Sequence, residues 1–66
     1  MNIVLNGDPQ LLSGPMSISE LISFMELTGK RIAVEINLDI IPASEHNNHM
    51  LKEADQIEVV AAIGGG

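Results

Sequence analysis

Hydrophobic positions along the chain fall into short runs of two different periods. Asn2-Ile3-Val4-Leu5-Asn6 is apolar and β-branched, and Gly7-Asp8-Pro9 closes it. Asn6-Gly7 signals a hairpin turn, because both residues tolerate positive φ. Gln10-Leu11-Leu12-Ser13 is then expected to pair back as a second strand, broken by Gly14-Pro15. The period next changes to that of a helix. Ile18, Leu21, Ile22 and Met25 recur at i, i+3, i+4 and i+7, with Ser19, Ser23 and Glu26 on the other face. Ser17 with Glu20 three residues later forms a capping box, and Met16 with Leu21 occupies the two positions of a hydrophobic staple. The spacing predicts a helix over Ile18 to Leu27, stopped by Gly29 in the left-handed region. Lys30 and Arg31 are then placed to interact with the last helical carbonyls.

Period two returns in Ile32-Ala33-Val34-Glu35-Ile36-Asn37, with Ile32, Val34 and Ile36 on one face. Asp39-Ile40-Ile41 reads as a short strand ending at Pro42, which has no N–H to donate. The polar stretch from Pro42 to Met50 predicts a loop with one helical turn, and Leu51 is its anchor into the core. Gln56 to Ala61 predicts the last strand, with Ile57 and Val59 on one face and Glu58 and Val60 on the other. This order (two strands, one helix, two strands and a final strand) describes an α+β domain with one helix on a mixed sheet of four to five strands. The β-grasp architecture is the simplest arrangement that satisfies it. One domain over residues 1–66 is expected, with a flexible tail over residues 62–66.

Composition narrows the function. Nine acidic and three basic side chains give a net charge of -6, spread from Asp8 to Glu58. Phosphate backbones and anionic membranes are recognised by Lys and Arg, so nucleic acid and membrane are poor partners. A basic protein surface is the natural one. The chain has no cysteine, which excludes disulfides, iron–sulfur ligation and a thiol nucleophile on these residues. Its longest apolar run, Val59 to Ile63, is too short to span a bilayer, and the first residues carry no basic export signal. A cytoplasmic protein is expected. A lone Phe24 and no Trp or Tyr leave the core to Ile, Leu, Val and Met. A catalytic cleft is hard to carve from so small a core, which favours a carrier or binding role over an enzyme.

The informative chemistry lies at the C-terminal end. Gly64, Gly65 and Gly66 follow the last strand almost directly. Glycines without side chains can thread a narrow cleft, and an ionised α-carboxylate on Gly66 could attack a nucleotide phosphate unhindered. The same glycines could equally be a frayed terminus. If Ile57 and Val59 face the helix, then Val60, with Glu58 and Ile63, forms an exposed patch beside the tail and a candidate partner interface. His46 and His49 stand three apart, a spacing compatible with metal ligation, but Asn47 and Asn48 between them point to a solvated loop. Glu53, Asp55 and Glu58 read as a solvated acidic face rather than as an acid–base pair.

On these residues the chain resembles the ThiS family, the small sulfur carriers of thiamine biosynthesis. The likeness runs through Ile32 to Asn37 with Ile40-Ile41-Pro42, through Leu51 to Val60, and through the terminal glycines. Its one specific motif is Gly65-Gly66. The resemblance implies that a ThiF-like, E1-like enzyme uses ATP and magnesium to adenylate Gly66. Sulfur from a desulfurase then converts that end to a thiocarboxylate, and a ThiG-like thiazole synthase receives it, with Gly64 and Gly65 entering the partner's active site. No cofactor bound to the carrier itself is implied. Three positions depart from the family pattern. Leu38 and Ala54 stand where glycine is usual, so those turns differ in type or carry strain, and Ala43 replaces a basic residue that could contact a partner. Two alternatives stay open: a MoaD-like carrier for molybdopterin synthesis, and a ubiquitin-like interaction module whose tail has no chemistry.

Overall fold

The computed structural model describes residues 1–61. Five strands form one mixed sheet in the order β2-β1-β5-β3-β4. They are β1 (Asn2–Leu5), β2 (Asp8–Leu11), β3 (Ile32–Ile36), β4 (Asp39–Ile41) and β5 (Gln56–Ala61), with helix α1 (Ile18–Phe24) between β2 and β3. β5 lies at the centre, parallel to β1 and antiparallel to β3. This is the β-grasp architecture. One sheet face is apolar and packs on the helix. Ile3, Val34 and Ile57 from the sheet and Ile18 and Leu21 from α1 are the largest fully buried side chains.

The first hairpin turns where expected but pairs earlier than expected. Leu5 faces Asp8, so the loop is the two residues Asn6 (φ 50°) and Gly7 (φ 85°), the positive-φ pair of a type I′ turn. β2 therefore begins at Asp8 and includes Pro9, rather than running from Gln10 to Ser13. Proline is tolerated because of the register. The Met1–Leu12 pair exchanges both backbone bonds, so alternation makes Val4–Pro9 a non-hydrogen-bonded pair on an edge strand.

The helix starts as predicted and stops early. Glu20 N–H donates to the Ser17 hydroxyl at 3.1 Å, and Ser17 N–H donates back to the Glu20 carboxylate at 2.9 Å. The two remaining N-terminal donors are met from the 43–51 segment. Ile18 N–H reaches His49 O and Ser19 N–H reaches His46 O, each at 3.0 Å. Every N-terminal orphan of the helix is thereby satisfied. At the other end Met25 is the C-cap and Glu26, with φ 61°, is the left-handed residue. Glu26 N–H donates to Ser23 O and Leu27 N–H to Ile22 O, which together make a Schellman motif. Leu27, one residue past Glu26, is partly buried against the core, the hydrophobic contact that accompanies such a motif. Gly29 serves a later turn, and no basic side chain lies in the last turn, so Lys30 and Arg31 do not cap it.

The middle of the chain follows the expected pattern. β3 and β4 lie within the predicted runs, a single 3-10 turn spans Ala43–Glu45, and Leu51 is buried. No helix of the described residues is long and apolar enough to cross a membrane.

Candidate functional site

The central strand β5 leads from the core to the glycines, and three side chains fix its position. At its entry Asp55 accepts the Lys52 N–H at 2.8 Å and the Asn37 amide at 3.0 Å. The Asn37 amide oxygen in turn accepts the Gln56 N–H at 3.0 Å. Near its exit Asn6 substitutes for a strand residue. Its side chain accepts the Val59 N–H at 2.8 Å and donates to the Val59 carbonyl at 3.3 Å. β1 has already turned away there, and the amide satisfies backbone groups that would otherwise be orphaned. β5 is thus clamped on both edges, by β3 along its length and by β1 and then Asn6 on the other side.

Of the residues singled out from the sequence, Val60 is 62% exposed and Glu58 is exposed, both on the sheet face turned away from the helix. Ile63, Gly64, Gly65 and Gly66 lie outside the described residues. The pairing register shows who shares that outer face. Ala33 lies opposite Val60, Glu35 opposite Glu58, and Ile40 opposite Glu35. Ile40 and the turn residue Leu38 are 73% and 90% exposed. Neighbours across strands cannot be seen in a linear pattern, so the sequence pointed to Glu58 and Val60 but not to Glu35, Leu38 and Ile40. Glu35 alternates correctly with Val34 and Ile36, and this was the available signal.

Two earlier readings are corrected by burial. His46 does not lie in a solvated loop; it is buried, and its Nε2 sits 3.0 Å from the Ile41 carbonyl. A carbonyl only accepts, so Nε2 carries the proton and the imidazole ties the 3-10 turn to β4. No group of three or more metal-ligating side chains occurs among the described residues. Asp55 is likewise buried, a turn cap rather than part of a solvated acidic face. Glu53 does face solvent. The Asn2 N–H donates to its carboxylate at 2.9 Å and, with the nearby α-amino group as a lesser influence, holds its pKa below the ordinary value. At the departures Leu38 and Ala54 the backbone is left-handed and carries strain, with φ 74° and 70° at residues that have a Cβ.

Comparison with known proteins places this architecture. The chain is 35% identical over its full length to a thiazole synthase of Paramagnetospirillum magneticum, and spans 20% of that protein's length. It is 30% identical to the uncharacterized protein ycf40 of Porphyra purpurea, covering all of this chain and 93% of the other. The crystal structure of the thiamine biosynthesis protein ThiS from Geobacter metallireducens superimposes with a TM-score of 0.83 at 26% identity, each chain covered completely. The sequence pattern of the ThiS family matches residues 3–66. A five-stranded β-grasp sheet, matched over residues 3–66 by that pattern, establishes that the chain belongs to the ThiS family, the small sulfur carriers of thiamine biosynthesis.

Proposed function

We propose that the chain carries sulfur as a thiocarboxylate on Gly66 for assembly of the thiazole ring, acting as a carrier and not as a catalyst. A carboxylate oxygen of Gly66 attacks the α-phosphorus of ATP in a ThiF-like enzyme, with magnesium neutralising the phosphates, and pyrophosphate leaves. A hydrosulfide equivalent supplied through a desulfurase adds to the acyl carbon of the adenylate. AMP departs, and a C–S bond replaces the C–O bond. A ThiG-like thiazole synthase then takes the sulfur.

The observation that carries this reading is the placement of β5. It is the central strand, held by Asn6, Asn37 and Asp55, and it is the last strand before the glycines in the sequence. A tail anchored to a fixed strand keeps its end within a bounded reach of the sheet. Five residues beyond Ala61 extend at most about 17 Å. The thiazole synthases that contain a matching segment support the choice of recipient, because one polypeptide there holds both parts.

The test is ATP–pyrophosphate exchange with the adenylating enzyme from the same source. Adding one residue after Gly66 displaces the carboxylate past the nucleotide, and Gly65→Val puts a β-branched side chain into the channel. Both variants are expected to lose exchange while melting like the parent. Full exchange by the extended variant, with the added residue still attached, refutes the mechanism.

A further inference from the structure

Both hairpin turns begin with an asparagine whose side chain reaches back to the central strand. Asn6 and Asn37 hold the first loop position of their turns, with φ 50° and 51°. Asn37 secures the entry of β5, through Asp55 and the Gln56 N–H. Asn6 secures its exit, accepting the Val59 N–H at 2.8 Å and donating to the Val59 carbonyl at 3.3 Å. Leu5–Ile57 is the last pair that β1 makes with β5, so past it the Asn6 side chain holds that edge. The two turns differ in the residue that follows. Leu38 follows Asn37, whereas Gly7 follows Asn6.

That difference is chemical. An asparagine side chain is open to attack by the main-chain nitrogen of the next residue. The nitrogen bonds to the side-chain carbonyl carbon, the bond to Nδ2 breaks, and Nδ2 leaves as ammonia with the proton the nitrogen gives up. A cyclic imide results. Water adds to one of its two carbonyls and opens the ring to aspartate or to isoaspartate, with no oxidant or reductant involved. A side chain on the following residue crowds this ring closure, and glycine has none. Of the five asparagines only Asn6 precedes glycine; the others precede Ile3, Leu38, Asn48 and His49. Asn6 and Gly7 are both exposed to water, and no neighbouring atom lies within 4 Å of where a Gly7 Cβ would stand.

We propose that Asn6 is a self-modifying site, converted by its own backbone and water to aspartate or isoaspartate, and that the conversion releases the exit of β5. Aspartate has no amide hydrogen. It sets a charged oxygen against the Val59 carbonyl and leaves that carbonyl without its donor. Isoaspartate also changes the backbone, because it inserts the side-chain methylene into the main chain. The loop has only two residues, and its dihedral angles fix the register from Leu5–Asp8 to Asn2–Leu11. Hydrolysis does not restore the amide. The molecule therefore carries a clock on the strand that precedes the glycines.

The test keeps the full chain folded in neutral buffer made with heavy-oxygen water. Digests taken over time are read by mass spectrometry and by labelling with an isoaspartyl methyltransferase. Chain held in denaturant under otherwise equal conditions supplies the reference rate. Conversion with uptake of heavy oxygen is expected at Asn6 before any is detected at Asn2, Asn37, Asn47 or Asn48. The isoaspartate fraction, separated from the parent, is expected to lose hydrogen-exchange protection at the Val59 N–H. Asn6→Asp reproduces the other product and is expected to lower Tm by roughly 4–8 °C, the effect of one lost hydrogen bond. Asn6 still intact in the folded chain when the reference is fully converted overturns the proposal, as does conversion that starts at another asparagine. An isoaspartate fraction that keeps Val59 protected, or an Asn6→Asp chain that melts with the parent, overturns it as well.

Discussion

Replacing Leu38 by glycine should make this protein more stable, although it removes a large apolar side chain. Leu38 is the second residue of the two-residue loop between Ile36 and Asp39, where a type I′ turn needs positive φ twice. Asn37 meets that requirement at small cost. A leucine there brings its Cβ too close to the carbonyl oxygen, which costs roughly 1–2 kcal/mol. Glycine removes this cost, but its unfolded chain has more freedom, which returns about 0.4–1 kcal/mol. The side chain is 90% exposed, so the lost burial is small. The balance is a gain of about 0.5–1 kcal/mol, or a Tm rise of roughly 2–8 °C for a domain this size. Leu38→Ala keeps the Cβ and the strain and should leave stability within about 0.5 kcal/mol of the parent. Reversible thermal unfolding by circular dichroism measures all three proteins. A glycine variant that melts at or below the parent, or an alanine variant that gains as much as glycine, refutes the assignment of strain to the Leu38 backbone.

Glu26→Gly, at the left-handed C′ position with φ 61°, should stabilise the helix end by about 0.5–1 kcal/mol, seen as a higher denaturant midpoint with an unchanged slope. Ser17→Ala removes the acceptor for the Glu20 N–H and should cost about 1 kcal/mol, lowering Tm by roughly 4–8 °C; coincident curves would contradict the capping box. Glu53 has a folded pKa below its ordinary value of 4.5, so its stabilising contribution is complete above that value and is lost as pH falls through the folded one. Glu53→Gln should therefore melt below the parent at neutral pH, with the gap closing in acid; a constant gap down to about pH 3 would remove the carboxylate–Asn2 bond as its cause.

Local rules fixed much of this molecule in advance. Ser17 and Glu20 form their capping box from neighbours three residues apart, and Asn6-Gly7 turns the chain with its own dihedral freedom. The alternation of Ile32, Val34 and Ile36 and of Ile57 and Val59 states which strand face is apolar. Each of these signals is contained within a few residues of chain. Tertiary structure decided what depended on distant partners. The helix ends at Phe24 rather than near Leu27, with Leu27 packed against the edge of the core and Glu26 held in a left-handed conformation its own preferences oppose. His46 and Asp55 have polar sequence surroundings, yet the Ile41 carbonyl, the Lys52 N–H and the Asn37 amide give each a bonded place in the interior. Glu35 and Glu58 are 23 positions apart and become neighbours only through the β3–β5 register, so their shared face with Leu38 is invisible to any periodicity. Periodicity reports which side of its own element a residue occupies; only the pairing of elements determines what stands beside it.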